Sequence, residues 1–316
     1  MSDATQDGFK EACDRGEIAA VRSMLSLGDE QRIDVHAGHE AAFHGACANG
    51  HAGVVRLLLS LDGERCVDVH SRSQLALRGA CMNGHEGIVK LLLSLDGDRR
   101  IDVHAGNEGA FRAACTHGHD GIVKLLLSLD GDRCIDVHAL EEAAFRGAST
   151  KGHEGVVKLL LSLDGDRCID VHARDDGAFY DACVRGHEEV VKLLLSLDGD
   201  RRIDVHAEDE DAFRAACRCG QEGVVRLLLS LDGDRRIDVH AGVEAAFRGS
   251  CAKGYEDIAA LLLSLDGDRR IDVHARDEGA FRSACKYGQE GVVRLLLSLD
   301  GDRRIDVHVS NQRAFR

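Results

Sequence analysis

The hydrophobic and polar positions of this chain repeat with a fixed step. The tripeptide Asp-Val-His ends at His36, His70, His104, His138, His172, His206, His240, His274 and His308, 34 residues apart each time and without an insertion. Within one unit, residues 101–133, Ala110, Phe111, Ala114 and Cys115 fall at i, i+1, i+4 and i+5, one apolar stripe on a short helix predicted over 107–117. Gly118 ends that helix, because the residue past the last turn usually takes a left-handed conformation that glycine adopts at least cost. The same glycine recurs in every unit from Gly16 to Gly288. A second helix is predicted from about Asp120 to Leu129, where Ile122, Val123, Leu125, Leu126, Leu127 and Leu129 leave few polar positions. Asp130-Gly131 stops it, and Ile135 and Val137 then alternate with Asp136 and His138 along an extended connection. So apolar a second helix cannot be covered within its own unit. Stacking on both neighbours covers it, which makes the chain a quasi-one-dimensional array.

A second marker, Phe9, Phe43, Leu77, Phe111, Phe145, Phe179, Phe213, Phe247, Phe281 and Phe315, keeps the same step and gives one array over residues 1–316, nine helical units with a partial tenth. Residues 1–34 are read as an N-terminal capping unit, since Glu17, Ala19, Ala20, Ser23, Met24 and Gly28 depart from the common pattern. Residues 309–316 are read as a truncated C-terminal unit, as in a fragment of a larger multidomain protein. The run Gly152, His153, Val156, Val157, Leu159, Leu160 and Leu161 resembles the second half of an ankyrin repeat, and Asp-Val-His-Ala resembles that family's Asp-Val-Asn-Ala. The resemblance covers essentially the whole chain and implies an all-α solenoid of helix-turn-helix repeats joined by long extended loops. Two departures stand out. Ala280, Phe281 and Arg282 replace the family's Thr-Pro-Leu-His start of the first helix, and the loop Ser-Leu-Asp-Gly-Asp-Arg-Arg-Ile after the second helix is longer than usual. A tetratricopeptide reading shares the period, but that family resembles longer helices with Trp, Tyr and Pro landmarks, and this chain has no Trp and no Pro.

The formal charge of −15 leaves no basic field to hold a phosphate backbone, so nucleic acid is not expected as a partner. No cationic stretch followed by an apolar run opens the chain, and no window approaches a membrane span, so an intracellular, most simply cytoplasmic, location without membrane insertion is expected. Eight of the twelve cysteines, Cys13, Cys47, Cys81, Cys115, Cys183, Cys217, Cys251 and Cys285, share one position in the repeat. Stacked helices lie about 8 to 10 Å apart, beyond the Cα separation of about 7 Å that a disulfide tolerates. These cysteines are therefore read as small buried hydrophobes in a reducing setting. Cys66, Cys134 and Cys168, which replace the second Arg of the loop, and Cys219 are the candidates for an accessible thiol.

Arg78, Arg112, Arg146, Arg214, Arg248 and Arg282 form a ladder that would suit an acidic partner. A local account is stronger: Glu108, Glu142, Glu210, Glu244 and Glu278 stand four residues before five of them, and such helical pairs contribute about 0.2 to 0.5 kcal/mol each. The second helix repeats the device with Glu86 and Lys90, Asp120 and Lys124, Glu154 and Lys158, Glu188 and Lys192, Glu222 and Arg226, and Glu290 and Arg294. The Asp-Val-His histidines come once per repeat, at steps of about 10 Å, too far apart to share an ion at a metal–nitrogen distance of about 2.1 Å. Asp130, Asp132 and Asp136 lack the glycine and the bidentate glutamate of a calcium loop. No nucleophile stands with a base and no glycine-rich phosphate loop follows a strand, so neither enzyme activity nor a cofactor or metal is expected.

Because the units solve one packing problem, positions that vary between them are those packing leaves open. Variation concentrates just after Asp-Val-His and near the end of the first helix. The resemblance implies that these two places form the concave recognition surface of such arrays. The unit opened by His172 departs most, with Tyr180, Asp181, Val184 and Arg185. Those four, with Arg174, Asp175, Arg218 and Tyr287, are the candidate partner-binding residues, since Tyr and Arg are enriched at binding hot spots. The function read from the sequence is a non-catalytic scaffold or adaptor, itself monomeric, that binds another protein. The alternative is a mainly structural spacer, a stiff rod roughly 90 Å long.

Overall fold

The computed structural model describes residues 3–27 and 32–308. Gly28 of the capping unit and the whole of the partial tenth unit, 309–316, lie outside them. Among the described residues the chain is eighteen α-helices with no strand, arranged as nine successive pairs from Asp3–Arg15 with Ile18–Leu25 to Ala275–Lys286 with Glu290–Leu297. Their packing divides into two compact units, Met1–Ala148 with His153–Asp170, and Ser149–Gly152 with Val171–Arg316.

The repeat opened by His104 shows how each pair is built. Its first helix, Ala105–Thr116, contains three consecutive residues of positive φ, Gly106 at 67°, Asn107 at 54° and Glu108 at 59°. The right-handed helix therefore starts only after Glu108, and what precedes it is one turn of left-handed backbone. An L-residue pays about 1 to 2 kcal/mol for that conformation, and these turns recur at 140–142, 174–176, 208–210, 242–244 and 276–278. They stand where the missing Pro-initiated turn would be, and the hydrophobic pattern gave no sign of them. Gly118 has φ of 74° and closes the helix as its position predicts.

The second helix, Asp120–Leu127, ends two residues earlier than the apolar run suggests, and a tight turn over Gly131–Arg133 follows. Arg133 donates from Nη1 to the carbonyl of Leu93 at 3.2 Å, the last residue of the preceding second helix. That bond satisfies a helix-end carbonyl which has no partner within its own helix. The same arginine does the same service 34 residues earlier and later, Arg99 to Leu59 and Arg167 to Leu127. Ile135 and Val137 are each 2% exposed, so the extended connection contributes its alternate side chains to the core. Phe111, Ala114, Cys115, Ile122, Val123 and Leu126 complete the buried set, and each large side chain among them is worth about 1.5 to 3 kcal/mol of burial.

All twelve cysteines are free thiols. Seven of the eight at the common position are buried and Cys285 is half-buried. Burial pushes the thiols of Cys13, Cys81 and Cys251 up to about 12, which suppresses the reactive thiolate and matches the reading of these residues as packing groups. Cys134 is exposed, while Cys66, Cys168 and Cys219 are half-buried.

Candidate functional site

The constant residues of the repeat are consumed in holding neighbours together. His104 directs both ring nitrogens at acceptors: Nδ1 donates to Glu108 Oε1 at 2.6 Å and Nε2 donates to the carbonyl of Asp132, in the next loop, at 2.9 Å. With an acceptor facing each nitrogen, the site favours the imidazolium form. Glu108, 3% exposed, also accepts the backbone N–H of Asp136 at 3.1 Å. The pair of an exposed ring with a buried carboxylate recurs at His138 with Glu142, His206 with Glu210, His240 with Glu244 and His274 with Glu278. The pKa values of His36, His104, His138 and His206 are raised mainly by the carboxylate bond and next by the carbonyl bond. For His240 and His274 the order of the two causes is reversed.

This geometry corrects the expected pairing of Glu108, Glu142, Glu210, Glu244 and Glu278 with the arginines four residues on. The left-handed turn breaks the helical spacing, so the glutamates point into the junction and meet histidine. The arginines turn to the backbone of the turn instead. Arg112 donates to the carbonyls of Asn107 at 2.8 Å and Gly106 at 2.9 Å, and Arg248 to those of Val243 at 2.9 Å and Gly242 at 3.1 Å. On the second helices the expected pairs form at Glu86 with Lys90, Glu154 with Lys158, Glu222 with Arg226 and Glu290 with Arg294. Lys192 reaches Glu189 at 2.6 Å, three residues back rather than the expected four.

His119, at the start of a second helix, is also structural: Nε2 donates to the carbonyl of Met82 at 2.8 Å, across the junction. Gln221 takes over that bond to Val184 at 3.0 Å. A Cβ added to Gly118 would lie 2.4 Å from the ring of His153, so that glycine is required by the neighbouring repeat as well as by its own φ.

The candidate partner-binding residues belong to the variable set, and the structure gathers part of it. Arg174, Asp175 and Tyr180 line one cleft of about 180 Å³, completed by Asp204, Glu208 and Asp211 of the next repeat. Asp181 is half-buried and accepts from the Thr150 hydroxyl at 2.8 Å. Val184 is half-buried and supplies the carbonyl for Gln221, while Arg185 and Arg218 are exposed. Tyr287, 58% exposed, lies three repeats further on, with the Lys286 ammonium 5.2 Å from its ring centroid, and does not join the cleft. The sequence reading missed the three acids from the following repeat. Their signal was present as the run Glu208, Asp209, Glu210 and Asp211, the most acidic of all the turns.

Among the described residues no helix is long and apolar enough to cross a membrane. A family model described as ankyrin repeats (3 copies) matches residues 9–107, 77–175 and 140–242. A solved structure, the ankyrin repeat domain of human ASB11, is 21% identical and covers 75% of this chain and 95% of its own, with a TM-score of 0.49. No curated protein matches.

Proposed function

The chain belongs to the ankyrin repeat family, whose arrays are typically protein-binding and generally non-catalytic, and from that premise we propose that it is a scaffold or adaptor that holds another protein on the face made by its left-handed turns and first helices. The observation that carries the reading is a division of labour. Residues constant between repeats make the bonds across the junctions, through His104, Glu108, His119 and Arg133 and their counterparts. Residues that vary between repeats stand exposed or half-buried beside the turns. The repeat opened by His172 carries most of the binding, through Tyr180, Asp181, Val184, Arg185, Arg174 and Asp175, with Arg218 and Tyr287 extending the surface. The array works as a monomer, in the cytoplasm.

The test is capture of the partner from a lysate of the source cells on the immobilised full chain, quantified by mass spectrometry. The double variant Tyr180→Ala with Arg185→Ala loses at least about tenfold in affinity, as removal of two interface anchors does. Unchanged capture by that variant would remove the central repeat from the binding surface.

A further inference from the structure

The repeat opened by His172 lacks a group that its neighbours share. In five repeats an arginine one residue after the buried phenylalanine donates to carbonyls of its own left-handed turn. Besides Arg112 and Arg248, Arg146 reaches Glu141 at 2.8 Å and Leu140 at 3.2 Å, Arg214 reaches Glu208 at 2.9 Å, and Arg282 reaches Asp277 at 3.1 Å. The position is Tyr180 in the repeat of His172, whose turn over 174–176 has the same positive φ values of 57°, 54° and 57°. No guanidinium of this kind sits on that turn, and the cleft of about 180 Å³ opens beside it.

The cleft has the chemistry of the missing group. Five carboxylates line it, Asp175, Asp176, Asp204, Glu208 and Asp211, against the single cation Arg174. Asp176 is already bonded to His172, Asp211 to Arg214, and Asp204 Oδ1 accepts the backbone N–H of His206 at 3.0 Å, so Asp175 and Glu208 offer the carboxylates for an incoming cation. The half-buried Tyr180 adds an aromatic face, on which a planar guanidinium stacks better than an ammonium rests. Pockets for whole small ligands are typically about 300 to 1,000 Å³, so this cleft is sized for one side chain.

We propose that this cleft receives the guanidinium of an arginine side chain presented by a basic segment of a partner protein, which takes the place that a resident arginine holds in the sister repeats. The proposal rests on the protein-binding reading above and adds the chemistry of the partner. Bidentate geometry and stacking separate arginine from lysine, whereas the net charge of the array treats the two alike.

The experiment is fluorescence polarisation of labelled hexa-arginine and hexa-lysine against the full chain and the Tyr180→Arg variant, at near-physiological salt to screen the general attraction. Tyr180→Arg installs the residue the sister repeats already accommodate, and circular dichroism checks that it folds. The full chain binds hexa-arginine about tenfold tighter than hexa-lysine, and Tyr180→Arg, whose own guanidinium fills the cleft, abolishes the preference. Equal binding of the two probes by the full chain, or a preference that survives in Tyr180→Arg, overturns the proposal. The scaffold reading fails separately: it falls if the variable positions as a set prove irrelevant to partner capture, whatever the two probes do.

Discussion

At the scale of single residues, the glutamate that ends most of the left-handed turns shows why side-chain spacing alone misassigns partners. Glu108 and Arg112 have the spacing of a surface pair, whose loss costs about 0.2 to 0.5 kcal/mol. The junction geometry predicts more. Glu108→Ala strands the Nδ1 of His104 and the N–H of Asp136, and hydrogen bonds to charged groups are worth about 1.5 to 3 kcal/mol, a difference that urea unfolding resolves. The histidine pKa values give a second prediction, with its sign set by their direction. His36, His104, His138, His206, His240 and His274 are raised in the folded state. Their contribution is therefore fully present below the unfolded value of about 6.5 and is lost as pH rises through the folded values. His44 runs the other way: burial lowers it to about 4, so its contribution is lost on acidification. With six groups against one, the urea midpoint falls as the pH is raised from about 6.5 into the mildly alkaline range. A midpoint that rises over that range contradicts the imidazolium assignment. His70 faces Gln74 at 3.3 Å instead of a carboxylate.

At the scale of elements, the two helices and their glycine stops were legible because periodicity and left-handed glycine are properties of a short window. Gly118 and Gly131 look alike in sequence, yet the structure separates them. Both have positive φ, 74° and 59°, but a Cβ at Gly118 meets the ring of His153 while one at Gly131 meets nothing within 4 Å. Gly131→Ala therefore costs only the backbone term, about 1 to 2 kcal/mol, and Gly118→Ala costs more, as thermal or urea denaturation of the two variants shows. Equal losses would mean that the His153 ring moves aside freely. The left-handed turn itself was illegible. It places Val243 and Leu140 at φ of 59° and 56°, a conformation their β-branched and bulky side chains disfavour. Where a glutamate ends the turn, as at Glu108 and Glu244, its carboxylate meets the N–H of the next repeat's Asp, 28 residues away in the chain. No local pattern carries that information.

At the scale of the whole chain, the described residues form nine helical pairs, and the proposed binding rests on the positions that vary between them. Comparison between repeats located Arg174, Asp175 and Tyr180, which share a cleft, but it could not see that the next repeat completes the cleft, because that depends on which faces meet. It also grouped Tyr287 with them, although that residue stands three repeats away. The most direct measurement compares the full chain with an array whose variable turn and first-helix positions are reset to the majority residue, each immobilised and exposed to a lysate of the source cells. Since the junction bonds are retained, the reset array keeps its urea midpoint. The account predicts that it loses the specific protein the native array captures, while identical captured sets from the two arrays would contradict it and leave the repeats with a spacer's role.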